Sequence, residues 1–118
     1  MSISATCSVT SRMVILKKGN LTSDGSEQVL LEFLGIGKIS GYVDLSSMAA
    51  EDTVIIKQYF KALSTSSYQK YAEETYVGVQ DNPMLHITPK ESDVALKITL
   101  QQTIGYPKRF LNNFMKEM

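Results

Sequence analysis

The sequence predicts an all-β domain, an antiparallel two-sheet β-sandwich of about eight strands with one short helical crossover. Three observations predict it. Gly, Pro, Asn, Asp and Ser interrupt the chain roughly every eight to twelve residues, the spacing of sandwich and barrel turns. The segments between them are β-branched, aliphatic and Tyr-rich, residue types that suit a pleated, half-buried surface. The run from Val94 alternates, with Val94, Leu96, Ile98, Leu100 and Ile104 on one face and Ala95, Lys97, Thr99, Gln101 and Thr103 on the other. A jelly roll is the expected connectivity, and a small closed barrel is the alternative.

Each element has its own reason. Met13 to Lys17 reads as a first strand, closed by Lys18-Gly19-Asn20. Thr22-Ser23-Asp24-Gly25 is a turn whose glycine can take positive φ. Val29 to Leu34 is a second strand, and Gly35-Ile36-Gly37 a bend rather than a phosphate loop, because no Gly-Lys-Ser/Thr follows. From Lys38 to Leu45, Ile39, Gly41, Val43 and Leu45 share the dry face. Ser46 to Asp52 is the helical candidate: Ser46 or Ser47 caps it, Met48-Ala49-Ala50-Glu51 favour helix, and Met48 pins it. Thr53 to Leu63 and Tyr68 to Val79 form a hairpin around Ser64 to Ser67. Met84 to Thr88 is a short strand between prolines, with Leu85 and Ile87 inward. The tail Lys108 to Lys116 is a strand with Phe110, Asn112 and Phe114 on one side; a helix burying Phe110, Leu111, Phe114 and Met115 competes.

The chain has 118 residues, which sets one domain as the expectation: a sandwich over residues 13–118 behind an arm-like segment at 1–12. Twelve Lys+Arg balance twelve Asp+Glu, which argues against a nucleic-acid partner, because duplex binding draws on an excess of cations. No apolar run reaches the ~20 residues of a membrane-spanning helix. Residues 1–12 lack a basic cluster and an apolar core, so no signal peptide is expected, and the place of action is the cytoplasm or a virion. Without such a core the segment before Cys7 is no lipoprotein signal, and the Asn20-Leu21-Thr22 sequon is incidental.

Chemistry is sparse. One His, one Cys and no Trp leave no nucleophile or metal constellation, so the chain is expected to be no enzyme and to hold no cofactor or metal. His86 alternates away from Leu85 and Ile87 and reads as a surface residue. Glu73 and Glu74 are adjacent on a strand and point to opposite faces. The acidic pairs Glu51-Asp52 and Glu91-Asp93 lie in loops that, if they met at one end, would offer oxygen ligands to calcium; solvated turns are the simpler reading. The tyrosines carry more. Tyr42 and Tyr59 sit opposite Val43 and Phe60 and are expected to share an exposed face suited to a protein interface or, although sugar platforms usually favour Trp, to a flat ligand. The expected contact residues are Tyr42, Tyr59, Tyr71 and Tyr106, with Phe110 and Phe114 of the last strand.

Several segments together resemble short β-rich proteins encoded by archaea and by tailed viruses or proviruses. They are Gly41-Tyr42-Val43-Asp44-Leu45-Ser46, Asp52 to Ile56, Tyr71 to Tyr76, Ile87-Thr88-Pro89-Lys90, and Val94 to Thr103. The resemblance covers roughly Val29 to Phe114. It implies a β-sandwich with a particle-associated role and supplies no catalytic residue. The expected function is therefore structural: a capsid decoration or head–tail accessory protein of a virion, acting as a homo-oligomer whose terminal edge strands are covered by neighbours. A soluble module binding carbohydrate or another small ligand is the alternative.

Overall fold

The computed structural model describes residues 13–117, so the arm expected at 1–12, with Cys7, lies outside the described residues. Eight strands follow one another: β1 (Met13–Thr22), β2 (Gln28–Leu34), β3 (Gly37–Asp44), β4 (Thr53–Lys61), β5 (Gln69–Val77), β6 (Met84–Ser92), β7 (Ala95–Ile104) and β8 (Arg109–Glu117). They pair antiparallel in two sheets of four, sheet A in the order β1-β8-β3-β6 and sheet B in the order β2-β7-β4-β5. The predicted antiparallel two-sheet sandwich is the observed fold. The last segment is a strand, because Phe110, Asn112 and Phe114 alternate onto a dry face.

The core lies between the sheets. Leu30, Val43, Val54, Leu100, Phe110 and Phe114 have no exposed surface, and Ile39, Ile56, Ile87, Leu96 and Ile98 close around them. Each such side chain contributes roughly 1.5–3 kcal/mol by leaving water, so this cluster is what offsets the entropy of ordering the strands. Two Phe side chains on β8 reach this cluster because β8 is central in sheet A, between β1 and β3. That position corrects one expectation: only β1, not the C-terminal strand, is a terminal edge.

The helical crossover is not seen. From Leu45 to Asp52 the chain makes two successive turns, closed by Met48 N–H to Leu45 O (3.2 Å) and Asp52 N–H to Ala49 O (3.1 Å). The segment is too short to offset helix nucleation, and acidic side chains satisfy its free N–H groups in separate turns. Asp44 Oδ1 accepts from Ser46 N–H at 2.8 Å, and Asp52 Oδ2 accepts from Ala49 N–H at 2.8 Å. Met48 is buried, so it pins the segment as expected without a helix.

Two strands run on where turn residues suggested an end. β1 continues through Lys18-Gly19-Asn20 because β8 pairs with it up to Thr22. β6 passes through Pro89 to Ser92, so Glu91 belongs to a strand and only Asp93 to a turn. Pro89 is tolerated because β6 is an edge, and because Thr88 and Pro89 together oppose the single Ser40 in a bulge.

Every edge strand carries such a bulge. The extra residue is Leu16 in β1, Leu30 in β2 and Tyr71 in β5, with the Thr88-Pro89 pair in β6. In β2 the bulge lets consecutive Leu30 and Leu31 both face the core. On β1 an inward-turned Lys17 spans the gap between the sheets and donates to Leu30 O at 2.5 Å; burial there lowers its pKa. Bulges and an inward-pointing charge are both devices that keep edges from pairing with other chains.

Candidate functional site

The outer face of sheet A carries a groove. Across its strands Lys18, Asn113, Tyr42 and His86 stand in one row, and Asn20, Leu111, Asp44 and Met84 stand next to it. The Tyr42 and His86 rings stack 4.8 Å apart at 28°, so His86 covers one face of the tyrosine. The other side opens on a groove of about 570 Å³ lined by Lys18, Asn20, Asp44, Met84, Leu111 and Asn113 with Tyr42. Leu111 and Met84 are about half exposed, and Tyr42 is 41% exposed. The Gly19 backbone also borders the groove.

The outer face of sheet B is saturated. Glu27 accepts from Tyr59 Oη (2.5 Å) and Thr99 Oγ1 (2.6 Å) and faces Lys57 at 3.8 Å. The Thr99 and Tyr59 hydrogen bonds hold its carboxyl below the usual range. Tyr68 Oη donates to Glu32 at 2.7 Å, and Lys97 lies 5.0 Å from the Tyr59 ring and 4.8 Å from the Tyr68 ring. Tyr59 is thus half-buried and engaged by Lys97 and Glu27.

Desolvation first, and then the carboxylate partners, push both Tyr59 and Tyr68 up to about 12. A phenol whose pKa is raised by folding contributes stability below its unfolded value of ~10, and that contribution is lost as pH rises through the folded value. In an alkaline absorbance titration, Tyr59 and Tyr68 are expected to ionise late, near about 12. Glu27→Gln should bring Tyr59 part of the way back and leave Tyr68 late. Ionisation of Tyr59 and Tyr68 at the ordinary phenol value of ~10 would refute the described packing.

The two sheets also gape along one side. A cleft of about 480 Å³ between edges β5 and β6 is lined by Gln58, Tyr71, Glu74, Tyr76, His86 and Lys90, among others. Tyr71 meets Phe60 edge-on at 5.0 Å, with Lys90 5.5 Å from its ring.

The turns 45–52, 78–83 and 105–108 gather at one end of the sandwich, where a buried polar knot ties them. Gly78 N–H donates to Asp52 O at 2.8 Å, and Lys108 pairs with the buried Asp52 carboxylate at 3.6 Å. Gln102 donates to Ile104 O (3.1 Å) and Tyr106 O (2.9 Å), and Ser23 donates to Gln102 Oε1. Beside this knot the surface is apolar. Val77 and Ile104 both pair with Thr53, one from each side, and are 62% and 56% exposed. Tyr106, at 83%, and Val79 extend the patch.

The expected contact residues therefore separate. Tyr42 and Tyr59 do not share a face: they stand on the outer faces of opposite sheets. Tyr71 borders the inter-sheet cleft and Tyr106 the apolar end. Phe110 and Phe114 are core residues without exposed surface, so they are withdrawn as contact residues; alternation along β8 points both inward. The acidic pairs do not meet either. Gly37 pairs with Ser92 and Asp44 with Met84, so Glu91-Asp93 and Glu51-Asp52 lie at opposite ends. Among the described residues no group of three His, Cys, Asp or Glu is placed to hold a metal ion. No helix among them is long and apolar enough to cross a membrane.

Sequence reasoning missed Ile104, placed above with the core. Thr103 is an extra residue in β7 opposite the Thr53-Val54 step, and it turns Ile104 outward beside Thr53. The only signal is the polar stretch Gln101-Gln102-Thr103, which breaks the apolar alternation just before it. No protein-family model matches the chain, and no curated protein matches it.

Proposed function

We propose that the protein is a non-enzymatic structural subunit, a virion component of the capsid-decoration or head–tail accessory kind, that assembles as a homo-oligomer through the end carrying Val77, Ile104 and Tyr106. The observation that carries this reading is the juxtaposition of Val77 and Ile104 across Thr53. It sets two exposed aliphatic side chains on one face, flanking Thr53, and exposed apolar surface of this kind marks contact sites on soluble proteins. The order β1-β8-β3-β6 over β2-β7-β4-β5 supports jelly-roll connectivity, an architecture shared by capsid proteins, lectins and cupins. Architecture alone does not choose among those roles. A core filled by Phe110, Phe114 and aliphatic side chains suits a building block.

The occupant of the patch is a second copy of this chain. Light scattering on a sizing column should give a mass that is a multiple of 13.1 kDa and independent of dilution over the working range. Val77→Asp with Ile104→Asp should return it to a single-chain mass, since a desolvated carboxylate in a contact is costly. A wild-type protein that stays monomeric at high concentration would defeat the proposal, and so would an oligomer indifferent to both substitutions.

A further inference from the structure

We infer that the groove beside Tyr42 on the outer face of sheet A is a binding site for a neutral pyranose carbohydrate. The inference does not rest on assembly, because the groove and the Val77–Ile104 patch lie on different sheets.

The chemistry of the lining selects the ligand. His86 takes one face of the Tyr42 ring, which leaves the opposite side to the groove, where an aromatic face receives the C–H side of a sugar ring. Leu111 and Met84 add exposed apolar surface beside it. The polar groups are of mixed character: the carboxamides of Asn20 and Asn113 both donate and accept, Asp44 accepts, and Lys18 donates. Hydroxyl groups, which also donate and accept, are the natural complement. A purely apolar ligand would strand these groups, and an anion would meet Asp44.

A second, independent observation points the same way. Asn113 Oδ1 is shut off from solvent and has no hydrogen-bond partner. Buried acceptors in folded proteins are nearly always satisfied, so an orphan in the lining of an open groove calls for a donor from outside. Asn113 is the β8 neighbour of Tyr42 and faces Lys18 on β1, which puts its side chain on the groove side of the sheet. Once the Asn113 carboxamide turns about its side-chain torsion to present this oxygen to the groove, a hydroxyl of a sugar seated against Tyr42 supplies that donor. The groove also has the size of a small-ligand site, within the range of roughly 300–1,000 Å³.

The test is an amide-resolved NMR titration of the full chain with maltose, cellobiose, lactose and chitobiose. Each is taken to about 10 mM, above the ~1 mM dissociation constants of weak but specific binding. At least one disaccharide is expected to shift the Tyr42, Leu111 and Asn113 amides saturably. Tyr42→Ala, a change at an exposed ring, should weaken that binding at least about tenfold. Asn113→Leu distinguishes a ligand group from a structural one. It removes an unsatisfied acceptor, so the melting temperature should stay level or rise while binding falls. Tyr106→Asp, at the assembly end, should leave the titration unchanged whatever it does to the oligomer. Absence of saturable groove shifts with all four sugars would overturn the inference, as would binding that survives Tyr42→Ala.

Discussion

Phe114→Ala is expected to cost about 3–5 kcal/mol, a large share of the ~5–15 kcal/mol that holds a domain of this size together. The ring has no exposed surface and sits on β8, which pairs with β1 on one side and β3 on the other. Neither neighbour can collapse into the vacated space without giving up its own register, so most of the cavity persists. Urea unfolding should show the loss as a lower midpoint at an unchanged slope, and the melting temperature should fall by roughly 10 °C or more. Leu111→Ala, three residues earlier on the same strand but half-exposed on the outer face, should change stability by no more than about 0.5 kcal/mol. If the two substitutions cost the same, the inward–outward assignment of β8 is wrong.

Gly41→Val should be as damaging, for the opposite reason. A Cβ at this position would lie 2.7 Å from the Asn113 carbonyl oxygen and 2.8 Å from Phe114 Cε1. The first is backbone and the second belongs to a fully buried ring, so neither gives way cheaply. Overpacking of this kind costs ~1–3 kcal/mol even for a modest side chain, and a β-branched one at the β3–β8 contact should exceed that or leave the chain unfolded. Gly41→Ala supplies the milder case, and Gly41→Ala with Phe114→Leu should recover part of the loss, because the two sites share one space. Gly19→Ala is the contrast. No atom lies within 4 Å of its would-be Cβ, and it should be neutral or stabilising by about 0.4–1 kcal/mol. Equal losses at Gly41 and Gly19 would mean that the ring of Phe114 is not where it is described.

Both effects trace to features already visible in the sequence. The alternation of Ile39, Gly41, Val43 and Leu45, and that of Phe110, Asn112 and Phe114, identifies inward faces because side chains on a strand alternate strictly between them. Alternation does not say which strands are neighbours, and so it could not show that Gly41 and Phe114 need each other. The same limit separates Tyr42 from Tyr59. Each was read correctly as opposite a core residue on its own strand, yet the two strands belong to different sheets. The turns 45–52 show a different limit. Met48-Ala49-Ala50-Glu51 favours helix by propensity, but one or two turns return too few hydrogen bonds to offset helix nucleation, and Asp44 and Asp52 satisfy Ser46 and Ala49 N–H in separate turns. Bulges are the least legible of all, since one extra residue leaves no mark on composition while inverting everything that follows, as at Ile104.

The irregular borders of both sheets bear on how the protein behaves before it meets any partner. A newly made sandwich with flat borders would recruit further copies by main-chain pairing, a process that lengthens without limit and seldom reverses. Here each border is interrupted by an extra residue, and one is further guarded by Lys17. Single copies are therefore expected to resist growth into fibres. In the assembly we propose, joining falls to side chains at an end of the molecule, where a contact is finite, reversible and open to timing.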